Sequence, residues 1–208
     1  MFSDLDLLND FLAIQEKLKP TMAIEVGAYD GDFSRAIASK NIPAFAFEGS
    51  PYVYQRFKDH MGSVFYINKA ITDYYGYVTF NIEHLNQAAS VGHNGIKIGR
   101  WGTESFIDVP CTSLDLYFKD TDNQKIALWI DCEGANKEVL EGGKEILSKT
   151  DSILIEVEHK QLWNDIWIRQ DVIDYLTKHG FTLYKEYPAY HDQTNCLFIK
   201  NEKISLIS

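Results

Sequence analysis

Polar residues stand at the ends of short apolar runs all along the chain: Glu25, Asp30, Glu48, Asn68, Asp131, Glu133, Glu156, Glu158 and His159. Most are acidic. Carboxylates accept hydrogen bonds from hydroxyls and attract cations, so the set suits a cationic ligand whose hydroxyl groups need acceptors. Glu25 lies in Met22-Ala23-Ile24-Glu25-Val26-Gly27-Ala28-Tyr29-Asp30-Gly31, where an apolar run meets two glycines four residues apart. Strand, glycine turn and helix in that order bring backbone groups close to a ligand. The spacing departs from G-x-G-x-x-G, and no Lys or Arg stands beside the turn, so a pyrophosphate fits it poorly. Glu48 follows Gly31 by 17 residues, where an acid accepts ribose hydroxyls.

These residues need elements to position them. Met22–Val26, Ala44–Phe47, Val64–Ile67, Ile126–Ile130 and Ser152–Val157 are short apolar runs, which is how strands covered on both faces read. Helices are expected between them: about Gly31–Lys40, a segment opened by Ser50-Pro51, and Ala135–Leu147. Asp165–His179 is a further helix closed by Gly180. Phe181–Tyr187 and Asn195–Lys200 are joined by a link too short for a crossover helix, so they pair antiparallel. Gly76–Ile82 and Phe106–Pro110 read as additional strands, and Glu83–Glu104 as a long loop of the kind that forms lids over sites. Residues 1–20 carry apolar spacing at Leu5, Leu8, Phe11 and Leu12 that predicts an amphipathic helix packed on the domain spanning 21–208. The expected fold is α/β: a Rossmann-like, seven-stranded, mostly parallel sheet with a terminal antiparallel hairpin and helices on both faces.

Composition narrows the class. A chain of 208 residues with 45% hydrophobic and 13% aromatic residues can bury a sizeable core. Its net charge of -10 disfavours a nucleic-acid partner. No apolar run approaches the length of a membrane span, and the first residues lack a signal peptide's pattern. Cys111, Cys132 and Cys196 form no C-x-x-C pair and read as buried free thiols, so a cytoplasmic location is expected.

Several blocks carry a family resemblance: Glu25-Val26-Gly27-Ala28-Tyr29-Asp30-Gly31, Phe47-Glu48-Gly49-Ser50-Pro51, Asn68-Lys69-Ala70-Ile71, Thr112-Ser113-Leu114-Asp115, Ile130-Asp131-Cys132-Glu133-Gly134-Ala135 and Ile155-Glu156-Val157. In this order they resemble the signature blocks of the FkbM family of methyltransferases. The Ile130–Ala135 block, followed by Glu138-Val139-Leu140-Glu141-Gly142, is the most specific. The resemblance implies a class I enzyme with S-adenosyl-L-methionine as cofactor, moving a methyl group to a hydroxyl, often on a sugar or polyketide. It implies cofactor contacts at Glu25, Gly27, Ala28, Asp30, Gly31, Glu48, Gly49, Ala70 and Asp131. Gly49-Ser50 stands where the family usually has Pro-Asn, and Tyr29-Asp30 where it usually has Asn-x.

Methyl transfer to a hydroxyl is an in-line displacement that needs alignment and a base. Asp131 is the expected residue at the methionine end or at the acceptor hydroxyl, and His159, oriented by Glu158, is a candidate general base. A divalent ion on Asp131, Glu133 and Glu158 is a further possibility, which the spacing alone does not fix. Gln87–Ser90 and Trp101 in the long loop, with Trp163 and Trp167 opposite, are candidate acceptor walls; His84 and His93 receive no role. The expected partner is a small-molecule or glycan hydroxyl, with neither nucleic acid nor membrane. A catalytically silent S-adenosylmethionine-binding module and a nicotinamide-dependent oxidoreductase are the alternatives.

Overall fold

The computed structural model describes residues 4–82, 95–97, 105–189 and 192–207. Its strands, in chain order, are β1 (Met22–Val26), β2 (Ala44–Phe47), β3 (Phe65–Ile67), β4 (Ala70–Ile71), β5 (Gly76–Ile82), β6 (Ser105–Thr112), β7 (Ile126–Ile130), β8 (Thr150–Glu158), β9 (Phe181–Pro188) and β10 (Gln193–Lys200). The helices are α1 (Asp4–Leu18), α2 (Asp32–Ala38), α3 (Pro51–Phe57), α4 (Leu114–Tyr117), α5 (Asn136–Glu141), α6 (Lys144–Ser148), α7 (Arg169–Lys178) and α8 (Ile204–Ile207).

Seven strands form one sheet in the order β3-β2-β1-β7-β8-β10-β9. β10 runs antiparallel to both of its neighbours, and the remaining pairs are parallel. The chain leaves β1 toward β2 and β3, then returns to the other side of β1 with β7. The carboxyl ends of β1 and β7 therefore border the crevice at the switch in strand order, which is where ligands bind in such sheets.

Alternation along the strands builds two cores. Ile24, Val26, Leu128, Ile130, Ile153 and Ile155 face Val139 of α5, Ile146 of α6, and Val172 and Leu176 of α7. On the other face, Ala23, Ala127, Leu154 and Leu197 meet Phe11 of α1 and Phe33 and Ile37 of α2. Phe11, Phe33 and Trp129 form one ring cluster with centroids 5.2–5.6 Å apart, tilted, edge-on and stacked in its three pairs. In α1, Gln15 Oε1 also accepts from the buried Ser152 hydroxyl at 3.0 Å, and Asp10 pairs with Lys185 of β9.

The structure departs from the sequence reading in three places. Asn68–Ile71 does more than end the third strand: Ala70–Ile71 is β4, which pairs parallel with β6 and opens a separate sheet of order β4-β6-β5. The helix expected over Ala135–Leu147 breaks at Gly142-Gly143. There the Thr72-Asp73 backbone presses so close that a Cβ on Gly142 would lie 2.3 Å from the Thr72 carbonyl oxygen. The helix expected from Asp165 starts only at Arg169, because Asp171 accepts from the Ile168 amide at 3.0 Å and caps the helix there. Leu162, Trp163 and Ile166 before it form their own small apolar cluster.

Candidate functional site

The cleft at the switch point begins with Gly27, which has φ +78°. A Cβ there would lie 1.8 Å from the Asp131 carbonyl oxygen, so only glycine lets the ends of β1 and β7 approach. The turn consumes its own amides. Gly27 and Ala28 both donate to the Phe47 carbonyl at 3.0 Å, and Gly31 donates to the Ala28 carbonyl at 2.6 Å. The Tyr29 amide donates to Glu48 Oε2 at 3.0 Å.

Glu48, at the end of β2, is buried. Its Oε1 accepts from the Ser50 amide at 2.7 Å. Burial pushes its carboxyl up to about 7, against the two amide bonds, which pull it down. Each oxygen holds one amide, which leaves lone pairs for further donors. Asn68 Nδ2 steadies the loop from behind by donating to the Glu48 carbonyl at 2.8 Å. Gly49 lies flat under the ring of Phe80: a Cβ there would come within 2.5 Å of Cε2. Phe80 reaches the cleft from β5, so the small sheet forms part of its wall, with Ala70 and Ile71 of β4.

Across the cleft, Asp131 and Glu133 line the β7 end. Behind them Glu156 and Glu158 stand two apart on β8, on the same face of the sheet as Glu25. Burial first, then the Glu133 and Asp131 charges, pushes Glu158 up to about 8. Its Oε2 is buried and has no hydrogen-bond partner among the described residues. Burial also raises Glu156, and its carboxyl shares a hydrogen bond with Asp131. The Cys132 thiol is raised by burial and by the same acids.

Of the residues expected to hold a cofactor, the cleft brings together Gly27, Glu48, Gly49, Ala70 and Asp131. Glu25 sits below it: Oε2 accepts from the Ser34 amide at 3.0 Å, caps the first turn of α2, and burial pushes the carboxyl up to about 8. Ala28 is buried in the α2-side core, and Gly31 packs against Met61. The Asp30 carboxylate turns to Arg35, 3.6 Å away, although Tyr29 beside it lines the cleft. No hydrogen bond between Glu158 and His159 is formed among the described residues: Glu158 Oε2 has no partner, and His159 lies just past the end of β8. The His159 ring instead bonds Thr194 Oγ1 through Nε2 at 2.7 Å. Trp163 is buried in the Leu162–Ile166 cluster, and Trp167 packs on Tyr175, so neither walls the cleft. Gln87–Ser90, Trp101, His84 and His93 lie outside the described residues. Among the described residues no three His, Cys, Asp or Glu side chains are placed to hold one metal ion.

Sequence reasoning missed Phe80, Ile96 and Lys69 as lining residues. Lys69 is a cation within the cleft wall, and its Nζ sits 5.9 Å from the Tyr75 ring centre. Gly95 exchanges backbone hydrogen bonds with Asn81 at 2.8 and 3.2 Å, and Lys97 pairs with Glu138 at 2.5 Å. These bonds pin Ile96 over the cleft.

The profile of the Methyltransferase FkbM domain matches residues 25–183. The chain belongs to the FkbM methyltransferase family. It is 25% identical over 202 residues to the 2-O-methyltransferase NoeI of Sinorhizobium fredii (strain NBRC 101917 / NGR234), covering 89% of this chain and 82% of NoeI. Its fold resembles magnesium protoporphyrin IX methyltransferase (ChlM) from Synechocystis PCC 6803 with bound SAM. The TM-score is 0.53 at 9% identity, over 93% of this chain and 76% of ChlM. It also resembles the N-terminal domain of EvdMO1, solved in the presence of SAH and D-fucose. There the TM-score is 0.50 at 12% identity, over 95% of this chain and 84% of that one. The family resemblance, the α/β fold and S-adenosylmethionine as cofactor are thus borne out. Among the described residues no helix is long and apolar enough to cross a membrane.

The cleft fits that cofactor on its own terms. Gly27 and Gly49 let the β1–β7 ends and the Phe80 ring close up around the cleft, and Glu48 offers lone pairs suited to a diol. The acids at the β7 end suit positive charge.

Proposed function

We propose that this methyltransferase acts on a hydroxyl oxygen of a sugar-bearing or small-molecule acceptor. The observation that carries this reading is Asp131, a carboxylate at the β7 end of the cleft with buried carboxyls behind it. A hydroxyl must lose its proton as its oxygen is methylated, and carboxylates at the mouth supply acceptors for that proton. The name of NoeI as a 2-O-methyltransferase supports transfer to an oxygen.

S-adenosylmethionine, when bound, supplies an electrophilic methyl group on a sulfonium. In this reading Glu48 holds the ribose hydroxyls, and Phe47, Val53, Ile71 and Phe80 give the apolar wall for the base. Gly27 lets the ends of β1 and β7 meet at the cleft, and Asp131 orients the methionine end or the acceptor hydroxyl. Glu158, held up to about 8 by burial and neighbouring acids, is mostly protonated at neutral pH and lies behind the cleft wall, so the base role falls to Asp131. His159 is left out because its Nε2 is bonded to Thr194.

The test uses the purified chain, methyl-labelled S-adenosylmethionine and a panel of free sugars, oligosaccharides and small hydroxylated molecules. Label is expected as an O-methyl ether, and Asp131→Asn is expected to keep its fold while losing about a hundredfold in turnover. Label on nitrogen or carbon, or full turnover in Asp131→Asn, would overturn the reading.

A further inference from the structure

Among the acids behind the cleft, Glu156 of the Ile155-Glu156-Val157 block neither lines the cleft nor has a place among the cofactor contacts. Ile130 of β7 is registered with Ile155 of β8. Asp131 and Glu156, each one residue further, therefore stand side by side on adjacent strands with side chains on one face. Their carboxyl groups share a hydrogen bond. Two carboxylates cannot hydrogen-bond each other directly, so such a pair holds a proton.

The proton's place follows from what surrounds Glu156. Gln193 Nε2, on β10, donates to Glu156 Oε2 at 2.9 Å, and Asn136 Nδ2, on α5, donates to the Glu156 backbone carbonyl at 2.8 Å. The groups acting on the Glu156 carboxyl are Asp131 and Glu133 from the β7–α5 turn and Glu158 from its own strand, with Glu25 of β1 acting on Asp131 in turn. All are acids, and Gln193 is neutral. Burial and these like charges both favour the protonated form of Glu156. Asp131, by contrast, lines the open cleft, where its charge can be solvated or met by a ligand.

We propose that Glu156 is a positioning residue for Asp131: the pair shares one proton, held on Glu156 and donated to the Asp131 carboxylate, which fixes Asp131 toward the cleft. The inference rests on the reading that Asp131 faces the bound cofactor. Gln193 occupies one Glu156 oxygen and leaves the other to carry the proton, so Gln193 orients the donor. The pair then carries a single negative charge and presents an oriented carboxylate instead of two mutually repelling ones.

Glutamate labelled at its side-chain carboxyl reports the Glu156 proton directly by carbon NMR of the full chain, with the resonance assigned by its loss in Glu156→Gln. Glu156 is expected to be protonated at pH 7 and to titrate on the alkaline side, with its midpoint falling in Asp131→Asn. Calorimetry with S-adenosylhomocysteine is the second readout. Glu156→Ala is expected to weaken binding about tenfold, and Glu156→Gln to recover most of that loss, because its amide N–H replaces the O–H donor. An ionised Glu156 at pH 7, a titration that ignores Asp131→Asn, or Glu156→Ala binding as tightly as wild type would each overturn the proposal. If Glu156→Ala does not fold, the titrations of the wild type and Asp131→Asn decide it. No arm uses methyl transfer, so failure to find a hydroxyl acceptor bears on the proposed function alone.

Discussion

Cofactor binding in this cleft should depend on pH through Glu48. Its two oxygens accept from the Tyr29 and Ser50 amides at 3.0 and 2.7 Å, yet burial outweighs these bonds and raises the carboxyl from 4.5 to about 7. A ribose diol donates both hydroxyls only to the ionised form, so affinity for S-adenosylhomocysteine should follow the ionised fraction. That fraction is about nine-tenths at pH 8 and about one-tenth at pH 6, a loss of about tenfold, or about 1.4 kcal/mol. The stability sign is the reverse. Between 4.5 and about 7 the ligand-free folded chain holds a proton that the unfolded chain releases. Glu48's contribution is therefore fully present below 4.5 and declines, by at most about 3 kcal/mol, as pH rises to about 7. Calorimetry at pH 6, 7 and 8, in buffers of different ionisation enthalpy, measures both affinity and the proton released on binding. Wild type should release nearly one proton at pH 6, and Glu48→Gln should bind weakly and lose that slope. An affinity flat across this range, or a slope that survives in Glu48→Gln, would refute the assignment of the diol to this carboxylate.

Three further outcomes follow from the close contacts. Gly27→Ala would place a Cβ 1.8 Å from the Asp131 carbonyl oxygen at φ +78°, so scanning calorimetry should show a fall of at least about 4 °C in Tm, with S-adenosylhomocysteine binding abolished. Gly49→Ala meets a side chain instead, the Phe80 ring at 2.5 Å, so it should cost only about 1–3 kcal/mol. A double-mutant cycle should show Phe80→Ala recovering much of that loss. Lys97→Ala leaves Glu138, 19% exposed, without its ion-pair partner, and urea denaturation should show a loss of about 1–3 kcal/mol.

Much of the sheet was legible because strands buried on both faces must be apolar throughout. Ile24 and Ile130, at 0% exposure, sit in runs that fit no other element. Glu48 and Asp131 were legible because polar residues ending such runs must lie at the sheet's rim. The second sheet was not. β4 has two residues, and its partner β6 lies some forty positions along the chain, so no local pattern announces the pairing. Phe80 entered the cleft through that pairing, and its position in an alternating strand could not say which surface it would cover. Two misreadings had visible signals. Gly142-Gly143 marked the break between α5 and α6, and the end of the apolar run at Val157 left His159 beyond the strand, where it bonds Thr194. Glu25 looked like a ligand contact because it precedes the glycine turn. That it caps α2 through the Ser34 amide depends on how the turn folds back beneath the cleft.

The glycine turn itself separates two cofactor chemistries. In dinucleotide sites the turn presents free backbone N–H groups to a pyrophosphate. Here the Gly27 and Ala28 amides are spent on the Phe47 carbonyl, the Tyr29 amide on Glu48 and the Gly31 amide on the Ala28 carbonyl. Carboxylates flank the cleft instead: Glu48 on one side, Asp131 and Glu133 on the other, with Lys69 also in the wall. Gly27 is needed for the approach of β1 to β7, so its glycine carries no implication of phosphate binding. Arg35, the cation nearest the turn in sequence, is held by Asp30 and Asp32. An anion entering this turn would meet the Glu48 carboxylate and find the Gly27, Ala28, Tyr29 and Gly31 amides already bonded, with Lys69 the cation in the wall, whereas a sulfonium and an ammonium meet the acids at the β7 end. S-adenosylhomocysteine should therefore raise the melting temperature and NADH should not. Stabilisation by NADH comparable to that by S-adenosylhomocysteine would mean that these amides are released on binding, and the argument from the turn would fail.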